Sequence, residues 1–209
     1  MHLSIFILFV DLTKAFDRII RQLVMGWSGH EASRKMHTLE QLGVSNESAK
    51  WLVEYIDLHG CVFEQWNLDD TTRNLARTLH DGAWFQVRGG TKCITSETGG
   101  RQGCCLGAIV FNSGYTVALD ILHWRLKKHG VTLRLKTPQG VFWSKPGDET
   151  AERTDIVDAT FVDDECIVLL AHSPKRLSLA IDITMETLIT VFRLCHLQIN
   201  FMPGKLRRV

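Results

Sequence analysis

The chain has almost no charge excess. Its 24 Lys and Arg stand against 23 Asp and Glu, a formal net charge of +1. A protein held to nucleic acid by long-range charge alone carries a basic surplus, so any nucleic-acid contact here has to be local. Paired cysteine motifs are missing too. Cys61, Cys93, Cys104, Cys105, Cys166 and Cys195 form no CxxC and none of the spacings that pre-form a zinc site, which excludes a metal scaffold and a disulfide framework. They read as reduced core thiols in an intracellular compartment. No basic segment precedes the apolar run "SIFILFV", and Asp11 arrives before that run could span a bilayer or be cleaved as a leader. No other stretch resembles a membrane segment, and no membrane partner is expected. Internal repeats, long linkers and low-complexity tracts are absent as well. With 209 residues, 45% of them hydrophobic, the chain can bury a proper core, and a single compact mixed α/β unit is expected.

What is present has a clear order. "LSIFILFV", residues 3–10, is rich in β-branched and aromatic side chains and predicts a central strand ending at Asp11. Ala15, Ile19, Leu23 and Val24 recur at helical spacing and predict one helix from Lys14 to Met25, with Thr13 as its cap. A helix over 31–42 ends at Gly43. Another is capped by Ser45 or Asn46, stops at Gly60, and turns Trp51, Leu52, Tyr55 and Ile56 toward the sheet. "TTRNLARTLHDG" predicts a short helix, and two short strands flank Gly89 and Gly90. A glycine-rich loop then leads into a long helix ending near Gly130. The segment 131–155 predicts a strand pair with an exposed tip, and a last helix runs from Pro174 to Leu194 with Ser173 as cap.

The stretch "DATFVDDECIVLL" places adjacent carboxylates among residues that otherwise read as buried strand. Taken as strands "IVDATF" and "ECIVLL" around a tight turn, it becomes a hairpin presenting Asp163 and Asp164 at its tip, with Glu165 peripheral at the start of the return strand. Carboxylates so placed suit hard divalent cations. One hairpin supplies too few ligands for two cations, so a third carboxylate is expected at the end of a neighbouring strand, where Asp11 stands. Each feature alone has a plainer reading: the pair as a solvated turn, Asp11 as a helix-entry residue.

Together these stretches resemble a known family. "FVDLTKAFDRI" resembles motif A of reverse transcriptases of the non-long-terminal-repeat retrotransposon and group II intron type, "GGRQGCCLGAIVFN" motif B, "FVDD" motif C and "LQINFMPGK" motif D, in family order. The resemblance implies a polymerase palm, an antiparallel sheet packed on helices with a catalytic β-hairpin, spanning residues 1–209. It implies RNA-directed DNA polymerase activity, with RNA template, DNA primer and deoxynucleoside triphosphates as partners. It assigns Asp11, Asp163 and Asp164, with the carbonyl of Leu12, to two magnesium ions, manganese being an alternative; Asp164 carries the least coordination.

Other positions follow from the same resemblance. Phe16 matches the ring beneath the sugar that excludes a 2′-hydroxyl, Gln102 and Gly103 the pair shaping the nucleotide pocket, and Arg101 a phosphate or template contact. Lys205 matches the lysine assisting the leaving pyrophosphate, and Asn200 the asparagine before it. Phe16 also reads as a core residue, Arg101 as a solvated surface arginine and Lys205 as part of a solvated end; Asp17 reads as a structural residue. The sequence departs from the family at Cys105 and Gly107, where Pro and Ser are usual, at Val162, where Ala is commoner, and at Leu206, where Thr or Ser is usual. Family members carry fingers and thumb segments in a larger polyprotein, and these lie outside motifs A to D. The implied localisation is cytoplasmic or nuclear. Two other classes stay open: an inactive retroelement remnant or nucleic-acid-binding module, and another palm polymerase such as an RNA-directed RNA polymerase. "FVDD" and "RQG" argue against the latter.

Overall fold

Seven consecutive apolar or small residues, Ser4–Val10, form strand β1, as their β-branched and aromatic side chains favour. In the computed structural model, which describes residues 3–86, 88–100, 105–137, 152–201 and 207–208, β1 lies in an antiparallel sheet. The sheet's other strands are β6 (Asp158–Phe161), β7 (Asp164–Ala171) and the short β8 (Arg207–Arg208), in the order β6-β7-β1-β8. The architecture is mixed α and β, as expected. One compact unit was expected; the chain instead divides into two.

The first unit comprises Met1–Asp11, Ile121–Ile189 and Asn200–Val209. Its register is fixed from Ser4 opposite Ala171 to Val10 opposite Glu165. Alternation along each strand sorts the faces. Leu8, Val10, Glu165, Ile167 and Leu169 are buried, whereas Ile5, Phe9 and Leu170 are exposed by 58%, 43% and 40%. Glu165, expected to be peripheral, is 1% exposed, because its place opposite Val10 turns it to the buried face. A second strand pair, β4 (Leu133–Thr137) with β5 (Glu152–Ile156), meets the expectation for 131–155; its expected tip lies outside the described residues. The expected strand "IVDATF" is divided, since Ile156 closes β5 and β6 starts at Asp158.

The second unit, Leu12–Asp120 with Thr190–Ile199, is mainly helical. The helix expected over 14–25 is two pieces, α1 (Ala15–Arg18) and α2 (Arg21–Met25), separated by Ile19 and Ile20 in extended conformations at ψ 128° and 111°. The cause is a segment distant in sequence: the carbonyls of Phe16 and Ile19, which an unbroken helix would engage within itself, accept instead from the N–H groups of Gly100 and Gly99 at 2.9 and 2.8 Å. Thr13 does not cap. Lys14 takes the N-cap position at φ 51°, while the Thr13 N–H donates to the Gln198 carbonyl.

Helix α3 (Lys35–Gln41) is shorter than the expected 31–42. Helix α4 (Asn46–His59) is capped by Ser45, whose side chain accepts from the Ser48 N–H, and ends at Gly60. It is in contact with α3, and of the residues on its expected apolar face Leu52 and Ile56 are buried while Trp51 and Tyr55 are half-buried. The unforeseen short α5 (Val62–Gln65) follows, then α6 (Asp70–His80) and the ribbon of β2 (Trp84–Gln86) and β3 (Cys93–Thr95).

Helices α7 (Cys105–Lys128) and α8 (Pro174–Leu194) are as expected; Ser173 caps α8 through a long contact from the Arg176 N–H at 3.4 Å. By length and composition α7 could also cross a bilayer, which the sequence reading did not single out; half of its apolar window is buried in the protein. The described cysteines are free thiols. Cys93 and Cys105 are exposed, against the expectation of core thiols.

Candidate functional site

The hairpin is tight. Phe161 pairs with Asp164, leaving Val162 and Asp163 as a two-residue turn. Val162 sits at φ 60°, a left-handed conformation that a β-branched side chain rarely adopts. Asp163 is therefore at the tip as expected, while Asp164 is already the first residue of β7.

Asp11 directly follows β1, and one further step of the register from Val10 and Glu165 brings it opposite Asp164. Both line a cavity of about 350 Å³ with Phe9, Val10, Ala159, Glu165 and Cys166. Cross-strand neighbours of this kind have Cβ atoms about 5 Å apart. Asp163 does not line this cavity. Asp11 and Asp164 thus share one cavity, and Asp163 adjoins it in the turn.

Asp11 is held in place. The Asn200 side-chain amide donates to Asp11 Oδ2 at 2.9 Å, and the Asn200 N–H donates to the Asp11 carbonyl at 2.8 Å. The resemblance singled out Asn200 only as the asparagine ahead of a lysine; its contact with Asp11 was not legible, because 189 residues separate the two. As to metal, Asp11 and Asp164 offer the hard oxygen donors that a divalent cation takes. Among the described residues, however, no three His, Cys, Asp or Glu side chains converge closely enough to hold an ion.

In the second unit, Leu12 is buried and bridges Ile199. Phe16 is half-buried and stacks on Phe111 with centroids 4.3 Å apart. Phe111 stacks in turn on Tyr115, whose ring meets Phe192 edge-on. The core and ligand readings of Phe16 are therefore compatible: one side of the ring joins an aromatic stack, and the residue retains some exposure. Asp17 acts through its backbone, accepting from the Thr98 hydroxyl at 2.8 Å. Arg101, Gln102, Gly103 and Lys205 lie outside the described residues.

Two features escaped the sequence reading. Arg21, 7% exposed, donates to the carbonyls of Gly99, His80 and Thr98 and to the Ser96 hydroxyl at 2.8 to 3.2 Å. An arginine inside the apolar run "IIRQLVM" was the available signal. In the first unit, Asp158 pairs with His123 at 2.5 Å and accepts from the Thr160 hydroxyl. Burial opposes ionisation of Asp158, but these two bonds outweigh it and hold its carboxyl below the usual range. No protein-family model matches the chain, and no curated protein matches it at a significant level.

Proposed function

We propose that the chain is the palm region of an RNA-directed DNA polymerase of retroelement type, adding deoxynucleotides to a primer 3′-hydroxyl on an RNA template. The observation that carries this reading is that Asp11, directly after β1, and Asp164, the first residue of β7, line one cavity, at the foot of a two-residue turn that holds Asp163. The order of motifs A to D supports it. Asp11, Asp163 and Asp164 would hold two magnesium ions, which, when bound, activate the attacking hydroxyl and offset charge on the leaving pyrophosphate. Asn200 keeps the Asp11 carboxylate in one orientation, as outer partners of metal ligands do.

The near-neutral charge implies weak grip on a duplex by the palm alone, since phosphate neutralisation supplies most such affinity. Fingers and thumb segments of a larger polyprotein are the partners this reading calls for, in the cytoplasm or nucleus. Primer extension on an RNA template with magnesium, comparing the chain with Asp11→Asn, tests the proposal. Extension by the unaltered chain alone supports it; equal extension by both sinks it.

A second reading is a palm that binds nucleic acid without turnover. Manganese titration followed by intrinsic fluorescence separates the two. Saturable binding that is lost in Asp11→Asn belongs to the polymerase, and no carboxylate-dependent binding belongs to the remnant.

A further inference from the structure

Within the second unit, a guanidinium lies where a hydrophobic side chain would ordinarily be. Arg21 is 7% exposed, and among the described residues no carboxylate reaches ion-pair distance from it. A buried charge held by carbonyls carries a large desolvation penalty, and a well-packed apolar residue is often as stable or more so. Its role therefore lies in its hydrogen bonds.

Those bonds converge on one segment, residues 96–100. Arg21 Nε donates to the Gly99 carbonyl at 2.8 Å, and Nη2 donates to the Thr98 carbonyl at 3.1 Å and the Ser96 hydroxyl at 3.2 Å. The same segment reaches back to α1. The Gly100 N–H donates to the Phe16 carbonyl, the Gly99 N–H to the Ile19 carbonyl, and the Thr98 hydroxyl to the Asp17 carbonyl. Closeness here is extreme: a Cβ on Gly99 would fall 2.4 Å from the Phe16 carbonyl oxygen. The remaining Nη1 donates to the His80 carbonyl, anchoring the assembly to the end of α6. Arg21 thus locks residues 96–100, and residues 98–100 lock the backbone that carries Phe16.

We infer that Arg21 is a positioning residue for the Phe16 ring, fixing through residues 96–100 the boundary that separates deoxyribose from ribose. The inference rests on the polymerase reading, in which Phe16 lies beneath the nucleotide sugar. Lysine cannot reproduce the fork of Arg21, because it presents one ammonium in place of a planar set of five N–H donors.

The test uses the full chain, Arg21→Lys and Arg21→Met, with two measurements. Amide exchange reports on residues 16–20 and 96–100, and single-nucleotide extension on an RNA template compares dCTP with CTP. Faster exchange in Arg21→Lys, together with a deoxy-to-ribo preference lowered by at least about tenfold, is expected, as displacing a reacting group by about an ångström changes rates by up to about 10²-fold. A ratio of rates does not depend on the fraction of folded protein, so simple destabilisation leaves it unmoved. Arg21→Lys keeps the charge and most of the volume where Arg21→Met fails to fold. Unchanged exchange overturns the inference, and so does faster exchange with an unchanged ratio. Incorporation of neither nucleotide by the unaltered chain overturns the sugar role in the palm alone, while exchange still reports separately whether Arg21 holds the segment.

Discussion

Asn200 grips Asp11 twice, through its side-chain amide at Oδ2, 2.9 Å, and through its backbone N–H at the Asp11 carbonyl, 2.8 Å. The backbone bond survives any substitution except proline, so the side-chain bond can be removed alone. Asn200→Ala is expected to lower stability by about 1 kcal/mol, the net worth of one hydrogen bond. It is also expected to weaken divalent-metal binding by about 10- to 100-fold, as loss of an outer-shell partner does. A urea midpoint and a manganese titration check the two effects separately. Equal metal affinity in both proteins would show that Asn200 merely tethers the chain.

Gly99 offers a prediction that owes nothing to catalysis. It sits at φ 77°, and an added Cβ would meet the Phe16 carbonyl at 2.4 Å. Gly43 has nearly the same φ, 80°, with nothing within 4 Å. Gly43→Ala therefore carries only the left-handed backbone penalty, about 1 to 2 kcal/mol, whereas Gly99→Ala adds an overlap worth about a further 1 to 3 kcal/mol. Chemical denaturation should rank the two in that order.

The sequence made β1, the ribbon around Gly89 and Gly90, α7, α8 and the hairpin legible, because each is a run of apolar residues bounded by glycine or a capping side chain. Where the reading went astray, a distant backbone group decided. Ile19 and Ile20 fit a helical period, yet Gly99 and Gly100 draw the carbonyls of Ile19 and Phe16 out of the helix. Glu165 looked peripheral beside an exposed turn, but its register opposite Val10 buries it. Of the candidate site, the pairing of Asp11 with the hairpin was legible from strand ends alone. That Asp164 opens the return strand while Asp163 stays in the turn depends on the turn having two residues, and the letters do not state that.

Val162 occupies a left-handed conformation at φ 60° and is 43% exposed, so it contributes backbone strain and little burial. Asparagine tolerates that region far better. Val162→Asn is expected to stabilise the protein by about 1 kcal/mol, seen as a higher denaturation midpoint. A lower midpoint would mean that the valine side chain packs more than its exposure suggests.

Asp158 gives the pH dependence a sign. Burial disfavours its charge, but the bonds from His123 and Thr160 prevail and its carboxyl is depressed in the folded protein. A depressed carboxyl binds fewer protons folded than unfolded, so its contribution to stability is complete above the ordinary aspartate range and is lost as pH falls through the lower folded value. Stability should therefore decline on acidification from about pH 5, near the upper edge of that range. In Asp158→Asn that part of the decline should vanish, at the expense of about 1 to 3 kcal/mol at neutral pH for a broken buried network. Urea midpoints at pH 7, 5 and 3.5 for the two proteins measure it: the curves should converge as pH falls, because acid removes from the unaltered chain what the substitution has already removed. Parallel curves would show that the acid sensitivity resides in other carboxylates.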